Sequence, residues 1–271
     1  MSGVTSVSVA WNLKEPKGDP FTVYGYTSRR AVRKYIKRLL SLQTGRDRAA
    51  TLRYGTLAAV QTLALSSGSG AVGGTINGVT VTDTWATSDT ISAGLIAAAI
   101  NASTDALVQY HVQASNLAAT ITLATCLAQG FIEICGYRLR PVGKVGAAPN
   151  TLAPGTFDVT GSDTADAQAL VAAIKAMPGL QDLVWAANSS GVVTVSARGP
   201  AATLPVNQLL KSGTSGVTVS GGALAATANV VVSALVKGLP GNTITLAASG
   251  TGVTAGGARL AGGTSSSVAL P

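Results

Sequence analysis

Apolar positions recur along this chain with two different periods. Between Ser28 and Thr44, Val32, Tyr35, Ile36, Leu39 and Leu40 fall three and four apart, the spacing of one helix face. Ser28 offers an N-cap acceptor there, and Gly45 suits the left-handed position after a helix end. Two more helices are expected, from Ser88-Asp89-Thr90 to Ile100 and from Ser162-Asp163-Thr164 to Ile174. Each opens with a hydroxyl for capping and an acid for the positive helix end. Elsewhere the period shortens to two. Ile76-Asn77-Gly78-Val79-Thr80-Val81 reads as a hairpin around an Asn-Gly turn. Val4 to Val9 has strand-like composition, and Pro16 and Pro20 exclude a helix nearby, so residues 1–27 read as an extended arm. An arm followed by a helix, ahead of a folded body, suits reaching onto a neighbouring subunit.

The pattern then repeats. Ser88 to Ile100 and Ser162 to Ile174 match at an offset of 74. Ile134-Cys135-Gly136-Tyr137-Arg138-Leu139 matches the Asn-Gly hairpin at an offset of 58, so the second copy has a longer loop around Gly146 to Gly155. Ala114-Ser115-Asn116 with Ile121-Thr122-Leu123, and Ala186-Ala187-Asn188 with Val193-Thr194-Val195, each read as strand, turn, strand. Asn229 to Ala234 and Ile244-Thr245-Leu246 read as a third copy without its helix, expected to pack on the second because a partial unit cannot cover its own apolar face. The fold class is therefore β-rich α+β: an N-terminal arm and basic helix, duplicated hairpin–helix–hairpin modules and a truncated third unit. The divisions are 1–27 (arm), 28–65 (basic helix and strand), 66–130 (first module), 131–225 (second module) and 226–271 (partial third unit).

Composition sharpens this. Aromatics are only 4% of the chain, so the core must be built from Val, Ile, Leu and Ala. Charged residues are 11% and mean hydropathy is +0.37, which suggests a surface covered by partners. The formal net charge is +8, and residues 1–53 carry all of it: eleven Lys/Arg against three acids, with eight of each in the remainder. The candidate partner-binding residues are Arg29, Arg30, Arg33, Lys34, Lys37, Arg38, Arg46 and Arg48. They fit a solvated face, an acidic protein surface or nucleic acid; the protein surface is favoured because the aromatic near them, Tyr35, belongs to the apolar stripe. No apolar run approaches the roughly 20 residues of a membrane helix, so no membrane partner is expected. The N-terminus lacks the layout of a secretion signal.

Catalytic chemistry finds little purchase. His111 is alone and placed in an apparent strand. No metal, cofactor or catalytic residue is proposed, and no enzyme is expected. The stretch Gly68 to Gly74 lacks a following helix and reads as a flexible linker rather than a phosphate loop. Asp163 and Asp166 read as helix N-terminal acids; with Asp158 they are too few for calcium. Cys126 and Cys135 read as small buried apolar residues, with a disulfide left open.

Thr75 to Val81, Ala97 to Ser103, Val193 to Ala197, Gly241 to Val253 and Leu260 to Gly263 together resemble a module of tailed-bacteriophage virion proteins. That module occurs in tail sheaths, decoration proteins and other structural proteins. A similar Asn-Gly hairpin is seen in flagellin outer domains. The resemblance implies a virion structural protein, assembled in the bacterial host cytoplasm. Its expected role is capsid decoration or cementing, as a homo-oligomer anchored by the basic segment to the major capsid protein or other virion proteins. A tail component (tube, sheath-associated or baseplate protein) and an internal protein touching nucleic acid are the alternatives.

Overall fold

The computed structural model describes residues 7–11, 21–23, 50–143, 155–159, 161–206 and 208–270. The predicted helix Ser28–Thr44 and the eight candidate basic residues, Arg29 to Arg48, lie outside the described residues. What is described is α+β and β-rich.

Two short strands, β1 (Val7–Trp11) and β2 (Phe21–Val23), come from the expected arm. β1 pairs with β2 on one side and with the start of β3 (Ala50–Ile76) on the other. The described parts of the expected arm, residues 7–11 and 21–23, are thus extended and paired within the chain. Val7 to Val9 are paired on both sides within the chain, and Ala10 and Trp11 on the β3 side.

β3 is twenty-seven residues long and does not run straight. A Cβ placed on Gly74 would lie 2.9 Å from Cδ1 of Leu63. Those residues are eleven apart, which spans roughly 35 Å in an extended strand. The strand must therefore double back, and it does so where Ser67 and Gly70 adopt positive φ (52° and 67°). So Gly68 to Gly74 is not the linker expected from its composition. It is the fold of a strand, and Val72 within it is fully buried.

β3 turns into β4 (Val79–Thr84) through Asn77 and Gly78, both at positive φ (51° and 83°), as a two-residue turn between twisted strands requires. Next comes α1 (Asp89–Ala102), whose N-cap Ser88 accepts from the Ile91 amide at 3.3 Å. Asp89 accepts from the Ser67 amide at 2.9 Å, tying the helix start to the bend in β3. A short α2 (Ala106–Gln109) leads through exposed His111 into β5 (Val112–Leu123). His111 thus precedes the strand rather than sitting in it.

The next stretch holds β6 (Phe131–Ile134), β7 (Tyr137–Val142) and β8 (Thr156–Asp158). Cys135 and Gly136 form the β6–β7 turn at φ 50° and 84°, close to the Asn77-Gly78 values. Then α3 (Asp163–Ala176) is capped by Ser162, and α4 (Leu180–Leu183) follows. Asp163 accepts from the amide of Thr125 at 2.7 Å, and Thr125 has φ 54°. β9 (Val184–Ser189) and β10 (Val192–Ala197) pair around Ser190-Gly191. The chain ends with β11 (Leu209–Ser212), β12 (Val217–Val219), β13 (Ala225–Lys237), β14 (Leu246–Ala255) and β15 (Thr264–Leu270).

The main sheet has the order β2-β1-β3-β13-β5-β10-β9, with β4, β14 and β15 on β3 and β12 on β5. β11-β6-β7-β8 form a second, smaller sheet. Two expectations change here. Ala114 to Leu123 is one continuous strand, not strand–turn–strand. Residues 116–119 are Asn-Leu-Ala-Ala, without the glycine that follows Ser190 in the β9–β10 turn. Second, Asn229 to Ala234 does not pack on the second module. It lies in β13, hydrogen-bonded to β3 on one side and β5 on the other. Two open edges captured this strand, and its alternating Val230, Val232 and Ala234 complete the first core.

That first core gathers Leu63, Ile96, Ile100, Val112, Val232 and Leu246 under α1. The second gathers Ile121, Ile132, Leu139, Phe157, Leu170 and Ile174 around α3. β5 serves both: Val112 and Ala114 enter the first, while Ala119, Ile121 and Leu123 enter the second. Even and odd strand positions point to opposite faces, so the cores lie against opposite faces of β5.

Candidate interaction surfaces

Where the two halves meet, β10 is followed directly by Arg198, which is only 2% exposed. Its Nε donates to the carbonyl of Val184 at 3.1 Å and its Nη1 to the carbonyl of Ala58 at 3.3 Å. One side chain thus ties β9 to β3. The guanidinium also lies 5.7 Å from the ring centre of Trp185, and Lys175 Nζ lies 4.2 Å from the same ring. Burial lowers the Arg198 pKa to about 10, with the charge of Asp182 opposing the drop, so it stays cationic at neutral pH. Burial, then the neighbouring Arg198 charge, lowers the Lys175 pKa. Asp182 pairs with Lys237 of β13. Sequence reasoning missed this cluster because Lys175, Asp182, Trp185, Arg198 and Lys237 are scattered over sixty residues and follow no motif.

A groove of about 510 Å³ lies where β5 exchanges β13 for β10 as its neighbour. Hydroxyls of Thr62, Thr120, Thr194, Ser196, Ser220 and Thr227 line it, with Ala118 and Leu117 among its apolar residues. No charged side chain lines it. Its chemistry is that of an uncharged hydrogen-bonding surface.

The aspartates do not converge on a cation. Among the described residues, no group of three or more His, Cys, Asp or Glu is placed to hold a metal ion. Asp166 is 3% exposed and accepts from the Gly161 amide at 3.1 Å. Burial raises its pKa; the Gly161 bond opposes this, while Asp163 and Asp158 add to it. A carboxyl with a raised native pKa binds its proton more readily folded than unfolded. Stability therefore falls as pH rises through the native pKa, and the penalty is complete above it. Asp166→Asn keeps an acceptor for Gly161 and removes the charge. It should raise the melting temperature at pH 7 and lose that advantage in acid, as calorimetry at the two pH values would show.

Cys126 and Cys135 are both free and buried. Burial raises each thiol pKa to about 11, helped at Cys126 by the Asp166 and Asp163 charges. Neither is a thiolate at neutral pH, so neither is a ready nucleophile. A thiol reagent such as Ellman's should titrate neither cysteine in the native protein and both after denaturation.

Comparison with protein-family models, with curated proteins and with solved structures gives no match. Among the described residues, no helix is long and apolar enough to cross a membrane.

Proposed function

We propose that this chain is a structural protein of a tailed-phage virion, most specifically a decoration or cement protein of the capsid. The observation that carries the reading is the partition of charge. Residues 1–53 bear the whole +8, and the remaining chain is neutral. A cationic segment ahead of a neutral body suits one part that anchors on an acidic surface and another that packs against neighbours. The body is taken as two copies of one hairpin–helix unit, with the closing hairpin formed only in the second. Supporting this, Asp89 and Asp163, offset by 74, accept from the positive-φ residues Ser67 and Thr125, offset by 58. The matched two-residue turns at 77–78 and 135–136 support it too.

Because β1 and β2 belong to the main sheet, deleting the N-terminus would confuse anchoring with folding. Charge reversal separates them. Virions carrying Arg33, Lys34, Lys37 and Arg38 all changed to Glu should show undecorated heads by electron microscopy. Fully decorated heads would remove the anchoring role. Rings or tubes of the purified protein would move it to the tail. DNA binding that weakens steeply with salt and is lost in the reversed variant would make it an internal protein.

A further inference from the structure

We propose that the groove over β5 and β10 binds a neutral oligosaccharide. Ser196 is the residue that points to a ligand. It lines the groove and is 6% exposed, yet its Oγ has no partner among the described residues. A hydroxyl buried this far is nearly always hydrogen-bonded within the protein. Others nearby are so engaged: Ser220 Oγ accepts from the Thr120 amide at 2.8 Å, and Thr227 Oγ1 donates to the Asn116 carbonyl at 3.1 Å. The hydroxyls of Thr62, Thr120 and Thr194 stand with that of Ser196, turned to the groove rather than to the protein. Strand pairing sets them in an array. Thr194 lies opposite Thr120 and Ser196 opposite Ala118, on one face of the sheet. Neighbouring strands are about 4.8 Å apart, and same-face residues along a strand about 6.8 Å. Leu117, Ala118 and Val231 make the floor between the hydroxyls apolar. Exposed Asn229 adds an amide that both donates and accepts.

This chemistry selects the occupant. No charged side chain lines the groove, so a phosphate or carboxylate would lose its water and gain no counter-charge. An alkyl chain would seal the Ser196 hydroxyl away from any partner. A peptide docks on a sheet by extending a strand edge, and the floor has no such edge. Ala118 is paired with Ser196 on one side and Ala225 on the other, and Ser196 is paired with Trp185 beyond. The floor presents side chains instead: hydroxyls that donate and accept, spaced by methyl groups. A sugar ring carries the complement, hydroxyls around its rim and C–H groups on its faces. The volume of about 510 Å³ is that of a ligand cleft, ~300–1,000 Å³. The inference rests on the groove alone and holds whichever particle the protein belongs to.

The test is calorimetric titration of the full-length protein with maltohexaose, cellohexaose and the N-acetylated chitin hexamer, each up to about 10 mM. At least one should bind. Ser196→Ala with Thr194→Val removes two hydroxyls at nearly constant shape and should weaken that binding about tenfold or more. The same double variant should not lower the melting temperature, because neither hydroxyl bonds within the protein. Ala118→Phe fills the groove from its floor and should abolish binding, which keeps the test valid if the double variant fails to fold. Failure of all three sugars to bind overturns the proposal, as does binding that survives both variants unchanged. An uncharged Gly-Ser-Thr peptide that binds where the sugars do not would also overturn it, and would assign the groove to a polypeptide.

Discussion

Gly73→Val should destabilise the protein by about 3–5 kcal/mol, lowering the melting temperature by about 10 °C, and should expose the first core before the second. Gly73 lies in the returning half of β3, paired with Thr82 of β4 and Ser249 of β14. A Cβ there would overlap the carbonyl oxygen of Val81 and sit 2.8 Å from the Thr82 Cα. Both obstacles are backbone, and the central position of the strand leaves no direction in which to yield. Relief would require β4 to peel away, uncovering Val72, Ile76 and Val81. Gly78→Ala supplies the contrast. It is strained by its φ of 83°, but a Cβ there meets nothing within 4 Å, so the loss should be about 1 kcal/mol. Thermal melts of the two variants check the difference. Equal losses would mean that the doubled strand does not depend on Gly73.

Arg198→Met should cost about 3 kcal/mol, with an effect on how the two halves unfold together rather than on either core alone. The methionine fills similar space but donates nothing, leaving the Val184 and Ala58 carbonyls without their charged partner. Removing a donor from buried acceptors costs more than the hydrogen bond itself contributes, because the carbonyls remain out of water. The stacking on Trp185 goes as well. Arg198→Lys should rescue little, since one ammonium on a flexible stem does not reproduce the two directed bonds of a planar guanidinium. The measurement is denaturant unfolding followed by Trp185-region fluorescence and by circular dichroism. The wild type should show one transition by both probes. The variant should show separated transitions, and coincident ones would refute the bridging role.

Much of the local structure was legible from neighbouring residues. Ser88 and Ser162 marked helix starts, and Asn77-Gly78 marked a turn, because caps and tight turns depend on groups within three or four positions. Burial of the two cysteines was legible from their type. The glycine run was misread, because flexibility and close packing select the same residue. Gly73 and Gly74 lack side chains to admit β4, Leu63 and β14, and only the partners reveal that. The groove was also hidden, since its hydroxyls come from β3, β5, β10 and residues 220 and 227, which only the sheet brings together.

By itself the sequence determined the periods, the starts of the two long described helices, the two-residue turns and the confinement of the net charge to residues 1–53. These are short-range or additive properties, set by each residue and its near neighbours. Tertiary structure alone decided that β13 enters between β3 and β5, that β3 folds over on itself, and that Arg198 reaches both Val184 and Ala58. The physical reason is that strand edges carry the same N–H and C=O groups whatever the side chains. Which distant edges meet is settled by the cores that form once they do, and no local pattern encodes that choice.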